Sequence, residues 1–307
     1  MDSKAISGGI ILSGASGILG TAVSRALTAR KVQILQLLRR NPSGEGQLQW
    51  NPYADPAIQN PAPLEGTAAA IHLSGANIAA HRWTDAYKRQ LAASRVDSTR
   101  RLANVLCSLR EPPRSFLVAS AIGIYGDRGD EFLNEASTPG SGFLAELCRQ
   151  WEAAADPAVQ AGIRVVYLRF AVVLGRGPGA LQRMLPPFRI GLGARLGSGQ
   201  QWMSWISLTD VVGAVLFALD HEELSGAVNM TSPNPLTNAE FTRALGRELH
   251  RPAFLAVPAF AVRTMFGPMA DEALLASVRV QPARLIAAGY KFALPGIEEA
   301  LKAALQS

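Results

Sequence analysis

The stretch S-G-A-S-G-I-L-G, Ser13 to Gly20, closes a short apolar run, Ile10–Ser13, and opens a helical pattern. Gly14, Gly17 and Gly20 stand at GxxGxxG spacing. In a strand–turn–helix unit such glycines have separate tasks. One tolerates positive φ at the turn, one lets the backbone approach a pyrophosphate, and one allows the helix to pack closely on the strand. The helix N-terminus then offers unpaired N–H groups and the positive end of its dipole to phosphate. The stretch therefore predicts a dinucleotide cradle, with Gly14, Ser16, Gly17, Ile18 and Gly20 as candidate contacts.

Outward from this stretch, short β-rich apolar runs alternate with longer helical patterns, the sign of a parallel sheet with crossover helices. Strands are expected at Ile10–Ser13, Val32–Leu38, Ala69–Leu73, Ser115–Ser120 and Arg164–Leu168. Helices are expected at Thr21–Ala29, Ala86–Ser108 and Phe143–Gln160. Beyond Gly175 the punctuation by Gly and Pro changes the pattern. Strands are expected there at Trp202–Ile206 and Gly226–Thr231, then a helix opened by Thr237 and Glu240 at capping-box spacing. The predicted fold is α/β: a Rossmann-like doubly wound parallel sheet with a smaller C-terminal α/β lobe. The expected division is a nucleotide domain at 1–175 with return segments near 207–232, and a lobe at 176–206 and 233–307.

Composition supports a packed globular core, with 48% hydrophobic and 18% charged residues. The formal charge of +6 comes almost entirely from arginine, because only five lysines are present. Those arginines are scattered, which suits small anions better than a nucleic-acid stripe. Cys107 and Cys148 form no CxxC, so neither a disulfide framework nor a metal site is expected. Polar residues precede the first apolar run, and Pro258, Arg263 and Pro268 interrupt the apolar stretch Ala253–Ala270. Neither a signal peptide nor a membrane span is expected, and the reading is a cytoplasmic protein.

The second strand ends Q-L-L-R-R. A site for NAD places an acid there for the ribose 2′-hydroxyl, whereas an Arg accommodates a 2′-phosphate. Leu38-Arg39-Arg40 offers no acid and two guanidiniums, which favours NADP(H). The other strand ends lining such a crevice are I-H-L-S-G-A-N (71–77, Gly75 included), V-A-S-A-I-G-I-Y-G (118–126) and L-R-F-A-V-V-L-G (168–175). His72, inside an apolar run, reads as a packed core histidine. Ser120 and Tyr125 are the candidate hydroxyls, and Arg169 is a candidate for an anionic group or a structural carboxylate.

These motifs in this order resemble an extended short-chain dehydrogenase/reductase. More narrowly, the chain is similar to the epimerase-like family often labelled as homologues of a SulA-type cell-division inhibitor. The narrower likeness rests on R-W-T-D-A-Y-K-R-Q-L-A-A-S-R-V-D-S-T (82–99), F-L-A-E-L-C-R-Q-W-E-A-A (143–154) and M-L-P-P-F-R-I-G-L-G (184–193). It continues through S-W-I-S-L-T-D (204–210), P-L-T-N-A-E-F (235–241), R-P-A-F-L-A-V-P (251–258) and A-A-G-Y-K-F (287–292). The resemblance implies bound NADP(H), with Leu38, Arg39, Leu73, Ser74, Gln90, Arg95 and Val173 as cofactor contacts.

By the same resemblance a Tyr-x-x-x-Lys pair belongs on the helix after the third crossover, and here its places hold Phe143 and Leu147. The usual serine position is Ala121, one beyond Ser120, and a His usual to the family is Ser207 here. Phe143 exchanges no proton and Leu147 carries no charge. Tyr125, Ser120 and Glu146 remain as substitutes for the missing acid/base. The favoured reading is an NADP(H)-dependent, epimerase-like oxidoreductase acting on a small carbonyl or sugar-like molecule. Its rival is a non-enzymatic NADP(H)-responsive sensor that docks a partner through an apolar C-terminal lobe. A small-molecule substrate is expected, no nucleic acid or membrane, and a homodimer is compatible with these residues.

Overall fold

The computed structural model describes residues 8–306. Seven strands form one parallel sheet: β1 (Ile10–Ser13), β2 (Ile34–Leu38), β3 (Gln47–Gln49), β4 (Ala69–His72), β5 (Ser115–Ala121), β6 (Arg164–Phe170) and β7 (Gly226–Met230). Their order is β3-β2-β1-β4-β5-β6-β7. The chain winds one way from β1 to β3 and the other way from β4, so the direction reverses between β1 and β4. In such sheets a ligand crevice opens at the strand carboxyl ends beside that reversal.

Alternate residues of the central strands feed two cores. Ile10, Leu12, Ile71, Leu117 and Leu168 face one layer of helix, and Ile11, Ala70, Phe116, Val118 and Val165 the other. A strand buried on both faces needs apolar residues at every position, which is why these runs are continuous rather than alternating.

The helices are α1 (Ile18–Ala29), α2 (Asp85–Ala92), α3 (Ser98–Cys107), α4 (Phe143–Ala153), α5 (Asp156–Gln160) and α6 (Ala180–Arg189). They continue with α7 (Leu208–Asp220), α8 (Asn238–Glu248), α9 (Ala259–Phe266), α10 (Ala283–Ala287) and α11 (Ile297–Gln306). α1 and α7 share the first core through Val23, Leu27, Val211 and Val215. α6, α8 and α11 enclose a third around Trp205, with Leu181, Phe241, Leu245 and Leu301. α9 and the π-helical turn after it dock on α2 and α4, packing Phe266, Met269 and Leu274 against Trp83, Tyr87 and Leu147.

Several elements differ from expectation for local reasons. The run 86–108 is not one α-helix: a π-helical turn at Ala93–Asp97 separates α2 from α3. The run 143–160 divides into α4 and α5, with Pro157 in the first turn of the latter, a place where its missing N–H costs nothing. The run 202–206 is two strands in different pairings. Trp202–Met203 runs antiparallel to Leu236–Thr237, and Trp205–Ser207 runs parallel to Val172–Leu174. The three-residue β3 was not foreseen, nor was α6, which carries Pro186 and Pro187 near its end. The capping box at Thr237 and Glu240 forms as expected. Among the described residues no helix is long and apolar enough to cross a membrane.

Candidate functional site

The glycine loop lies at the carboxyl end of β1. Gly14 takes φ +75°, and a methyl there would sit 2.6 Å from the Leu73 carbonyl carbon, so the loop presses on the chain leaving β4. A methyl on Gly20 would meet the Gly14 carbonyl oxygen at 2.1 Å. Both glycines are thus required by the fold itself.

Gly17 differs. Its φ is −77°, open to any residue, and a methyl there would approach only the Gly14 carbonyl oxygen, at 3.5 Å. It is the N-cap of α1 and makes no side-chain cap. Neither dihedral nor packing demands glycine, which is among the residues favoured at an N-cap, and the space above it is open. A phosphate-sized anion over unpaired first-turn N–H groups fits that cradle.

Around this loop the structure brings several candidates together. Ser74 Oγ donates to Ser13 Oγ at 3.3 Å, which ties the end of β4 to the end of β1. Gly75 lies under Arg95, whose guanidinium carbon would be 3.5 Å from a methyl there. Arg95 sits in the π-helical turn, is 9% exposed, and donates to the Ala76 carbonyl at 2.9 Å. Single π-turns recur at functional sites because they re-aim one side chain. Leu37 and Ser13 are register partners, so Leu38, Arg39 and Arg40 emerge beside the glycine loop. Both arginines are exposed, and no hydrogen bond or ion pair holds either among the described residues. Val173 follows β6 and pairs with Ile206. Ile18 faces the 177–179 loop, with Cδ1 3.8 Å from where a Gly179 methyl would lie. Ser16 is exposed in the loop itself, and Gln90 is exposed on α2, with no hydrogen bond to the other candidates.

The candidate hydroxyls are held elsewhere. Ser120 Oγ donates to Glu152 Oε1 at 2.7 Å. Glu152 takes Nε and Nη2 of Arg169, each at 2.8 Å, a two-pronged pair with both side chains nearly buried. Arg169 Nη1 donates to Tyr125 OH at 3.0 Å, and that hydroxyl donates to Asn229 Oδ1 at 2.8 Å. Tyr125 is fully buried, and burial pushes its phenol up from the ordinary value, with Arg169 opposing. Arg169 therefore holds a structural carboxylate, and neither hydroxyl is open to a ligand in this arrangement. Glu146 faces solvent, paired with Arg149 and Gln150. His72 is a core residue: it is fully buried, with Nδ1 against Ser13 Oγ at 2.5 Å and Nε2 against Ser98 Oγ at 3.1 Å.

Phe143 packs edge-on to Trp83 with ring centroids 5.3 Å apart, and Lys88 Nζ stands 5.1 Å over its ring. Leu147 is 4% exposed in the cluster with Trp83, Tyr87, Leu91 and Met269. The helix bearing them is capped from the C-terminal segment, because Leu144 N–H donates to Glu272 Oε2 at 2.7 Å. Asp210 is structural: Ser207 caps α7, and the carboxylate accepts from Ser207 Oγ and from the N–H groups of Ala293 and Leu294. Sequence reading missed Glu152, Asn229 and Glu272. Glu152 had a signal, since it lies one turn beyond the buried Cys148 on α4. Asn229 and Glu272 had none, being distant in sequence from their partners. Among the described residues no group of three or more His, Cys, Asp or Glu side chains could hold a metal.

Residues 10–230 match the family model described as the NAD dependent epimerase/dehydratase family, and residues 257–304 match a domain of unknown function. The epimerase family protein Mb2239 of Mycobacterium bovis is 44% identical over 95% of this chain and 96% of its own. The human epimerase family protein SDR39U1 is 34% identical over 95% of this chain and 98% of its own. The crystal structure of human SDR39U1 (isoform 2) with NADPH superposes with a TM-score of 0.87 at 32% identity, covering 97% of this chain and 99% of that one. A UDP-N-acetylglucosamine 4-epimerase from Bacillus cereus shares the fold at 17% identity, TM-score 0.75, over 96% of this chain and 97% of that one.

Proposed function

The chain belongs to the NAD dependent epimerase/dehydratase family, and from that premise we propose that it binds NADP(H) and acts as an oxidoreductase on a small carbonyl or sugar-like substrate. The observation that supports the cofactor is Gly17, an N-cap glycine that a methyl would not crowd, beside two exposed arginines without a partner among the described residues. In this reading the pyrophosphate rests over Gly17 and Ile18 at the N-terminus of α1, with Ser16 at its flank. Arg39 takes the 2′-phosphate, with Arg40 beside it, and Leu38, Leu73 and Ser74 line the adenine-ribose side. Arg95, held against Gly75, orients the loop that follows β4, and Gln90 and Val173 complete the contacts. The cofactor supplies the hydride when bound.

Proton handling is unlike that of a Tyr–Lys site. Phe143 and Leu147 are packed against Trp83 and its cluster and offer no group that exchanges a proton, and Ser120 and Tyr125 position the strand ends through Glu152, Arg169 and Asn229. The proton for a reduced carbonyl then comes from solvent or from the substrate, a route that forgoes the roughly 10²–10⁴-fold that a placed acid supplies. The NADPH complex of the human relative supports the choice of cofactor.

Calorimetric titration of the cofactor-stripped protein with NADPH and NADH tests the reading. NADPH is expected to bind more tightly. Arg39→Ala should cost NADPH about 10–100-fold, the worth of a charge-assisted pair, and leave NADH nearly unchanged. Equal losses for both would sink the 2′-phosphate assignment, and no binding of either would sink the cofactor.

A further inference from the structure

Far along the chain from the nucleotide residues, α8 and the segment after it build a second recess. Arg243 and Arg247 stand one turn apart on the exposed face of α8. At its end His250 takes φ +52°, and Arg251 N–H returns to the Gly246 carbonyl at 2.9 Å, so the chain folds back along the helix. Gly246 permits this, because a methyl there would lie 2.6 Å from Ala253 Cβ. The result is an open groove of about 630 Å³, lined among others by Arg243, Arg247, His250, Arg251 and Phe254. None of its lining residues is acidic.

Two features give the groove a direction. Phe254 is 78% exposed at its end. Gly191 lies against Pro252, 3.5 Å from methyl position to Cγ, which sets Ile190 and Leu192 near the same rim, 70% and 55% exposed. Arg247 pairs with Glu298 at 2.8 Å, and Arg251 Nε donates to the Arg189 carbonyl, so both guanidiniums are oriented with donors to spare. Cations at a helix C-terminus complement its dipole, which accounts for Arg247 and His250. It accounts for neither Arg243 nor an exposed phenylalanine beside them.

We propose that this groove docks an acidic peptide segment of a partner protein, its carboxylates on Arg243, Arg247 and Arg251 and an apolar side chain against Phe254. Charge complementarity selects the class of partner. A second copy joined through the same face would set these cations against one another, since a twofold contact is self-facing. A recess with charged walls suits a chain laid into it better than a flat lipid surface. The site shares no residue with the nucleotide cradle, so it stands whether or not the cofactor assignment does.

The test is selection of a phage-displayed library of random short peptides on the full-length protein, followed by anisotropy measurements on the enriched peptides. Enrichment of acidic sequences carrying an apolar residue is expected. Their affinity should fall at least about tenfold in the double variant Arg243→Ser, Arg247→Ser, and by a similar factor in Phe254→Ser, and should weaken with salt. All three substitutions are at exposed positions, and an unchanged thermal melt would confirm that each variant folds. No enriched peptide, or peptides indifferent to these substitutions, would overturn the proposal. Two further results would overturn it in favour of another occupant. One is co-sedimentation with phosphatidylglycerol-containing vesicles through the same residues without peptide binding. The other is a dimer in sedimentation equilibrium that Phe254→Ser abolishes.

Discussion

Gly17 and Gly20 lie three residues apart and answer to different demands. At Gly20 a methyl would overlap the Gly14 carbonyl, so Gly20→Ala should lower unfolding free energy by about 1–3 kcal/mol or more in urea titration. At Gly17 a methyl clears the protein, so Gly17→Ala should cost at most about 1 kcal/mol, the penalty of a poorer N-cap. The same variant should bind NADPH at least about tenfold more weakly, since the methyl enters the proposed phosphate space. His72 makes a different residue-scale prediction. Burial lowers its pKa from 6.5 to about 3, so the unfolded chain takes up a proton that the native state refuses. Its contribution to stability is complete above pH 6.5 and is lost as pH falls from there toward about 3, by up to roughly 1.4 kcal/mol per unit. Urea titrations at several pH values in that window should show a shallower acid slope in His72→Gln than in the parent.

At the scale of the element, α4 packs tightly at the two positions where the resemblance puts a Tyr and a Lys. Phe143 has Trp83 at its edge and Lys88 over its face, and Leu147 sits among Trp83, Tyr87, Leu91 and Met269. Restoring the usual pair is therefore more than a change of two letters. Phe143→Tyr keeps the ring, whereas Leu147→Lys puts an ammonium among Trp83, Tyr87, Leu91 and Met269. Leu147→Lys should destabilise by several kcal/mol, or survive only with its amine neutral. The melting temperatures of the two single variants check this, and a Leu147→Lys protein as stable as the parent would contradict the packing argument. The same helix takes its N-terminal acceptor from Glu272, so the C-terminal segment fixes where α4 begins.

At the scale of the whole molecule, one polar network joins β5, β6, β7 and α4 through Ser120, Arg169, Tyr125, Asn229 and Glu152. Removing one partner of a buried pair leaves the other charge uncompensated. Glu152→Ala should cost about 3–5 kcal/mol, while Glu152→Gln with Arg169→Met should lose less than that single variant. Equilibrium unfolding of the two proteins measures the difference, and a larger loss in the double variant would contradict the account.

Much of this was legible along the chain because it is local. The glycine spacing, the continuous apolar runs of a two-sided strand and the Thr237–Glu240 box each depend on a few neighbouring residues, and the sheet they imply is present. The break of 86–108 at a π-turn and the splitting of 202–206 between two pairings depend on partners far away, and no local pattern announces them. Tyr125 and Ser120 show the same limit at the site. Residue type made them candidate acids, yet their hydroxyls turn toward Asn229 and Glu152, more than thirty positions away in each case. The sequence by itself determined the glycine turn after β1, the two-sided strands of the sheet and the Thr237–Glu240 cap, because these follow from residue type and short-range periodicity. Only the tertiary structure decided which polar groups are consumed by the core and which stay open to a ligand, because burial and hydrogen bonding are settled by segments that meet only in the folded chain.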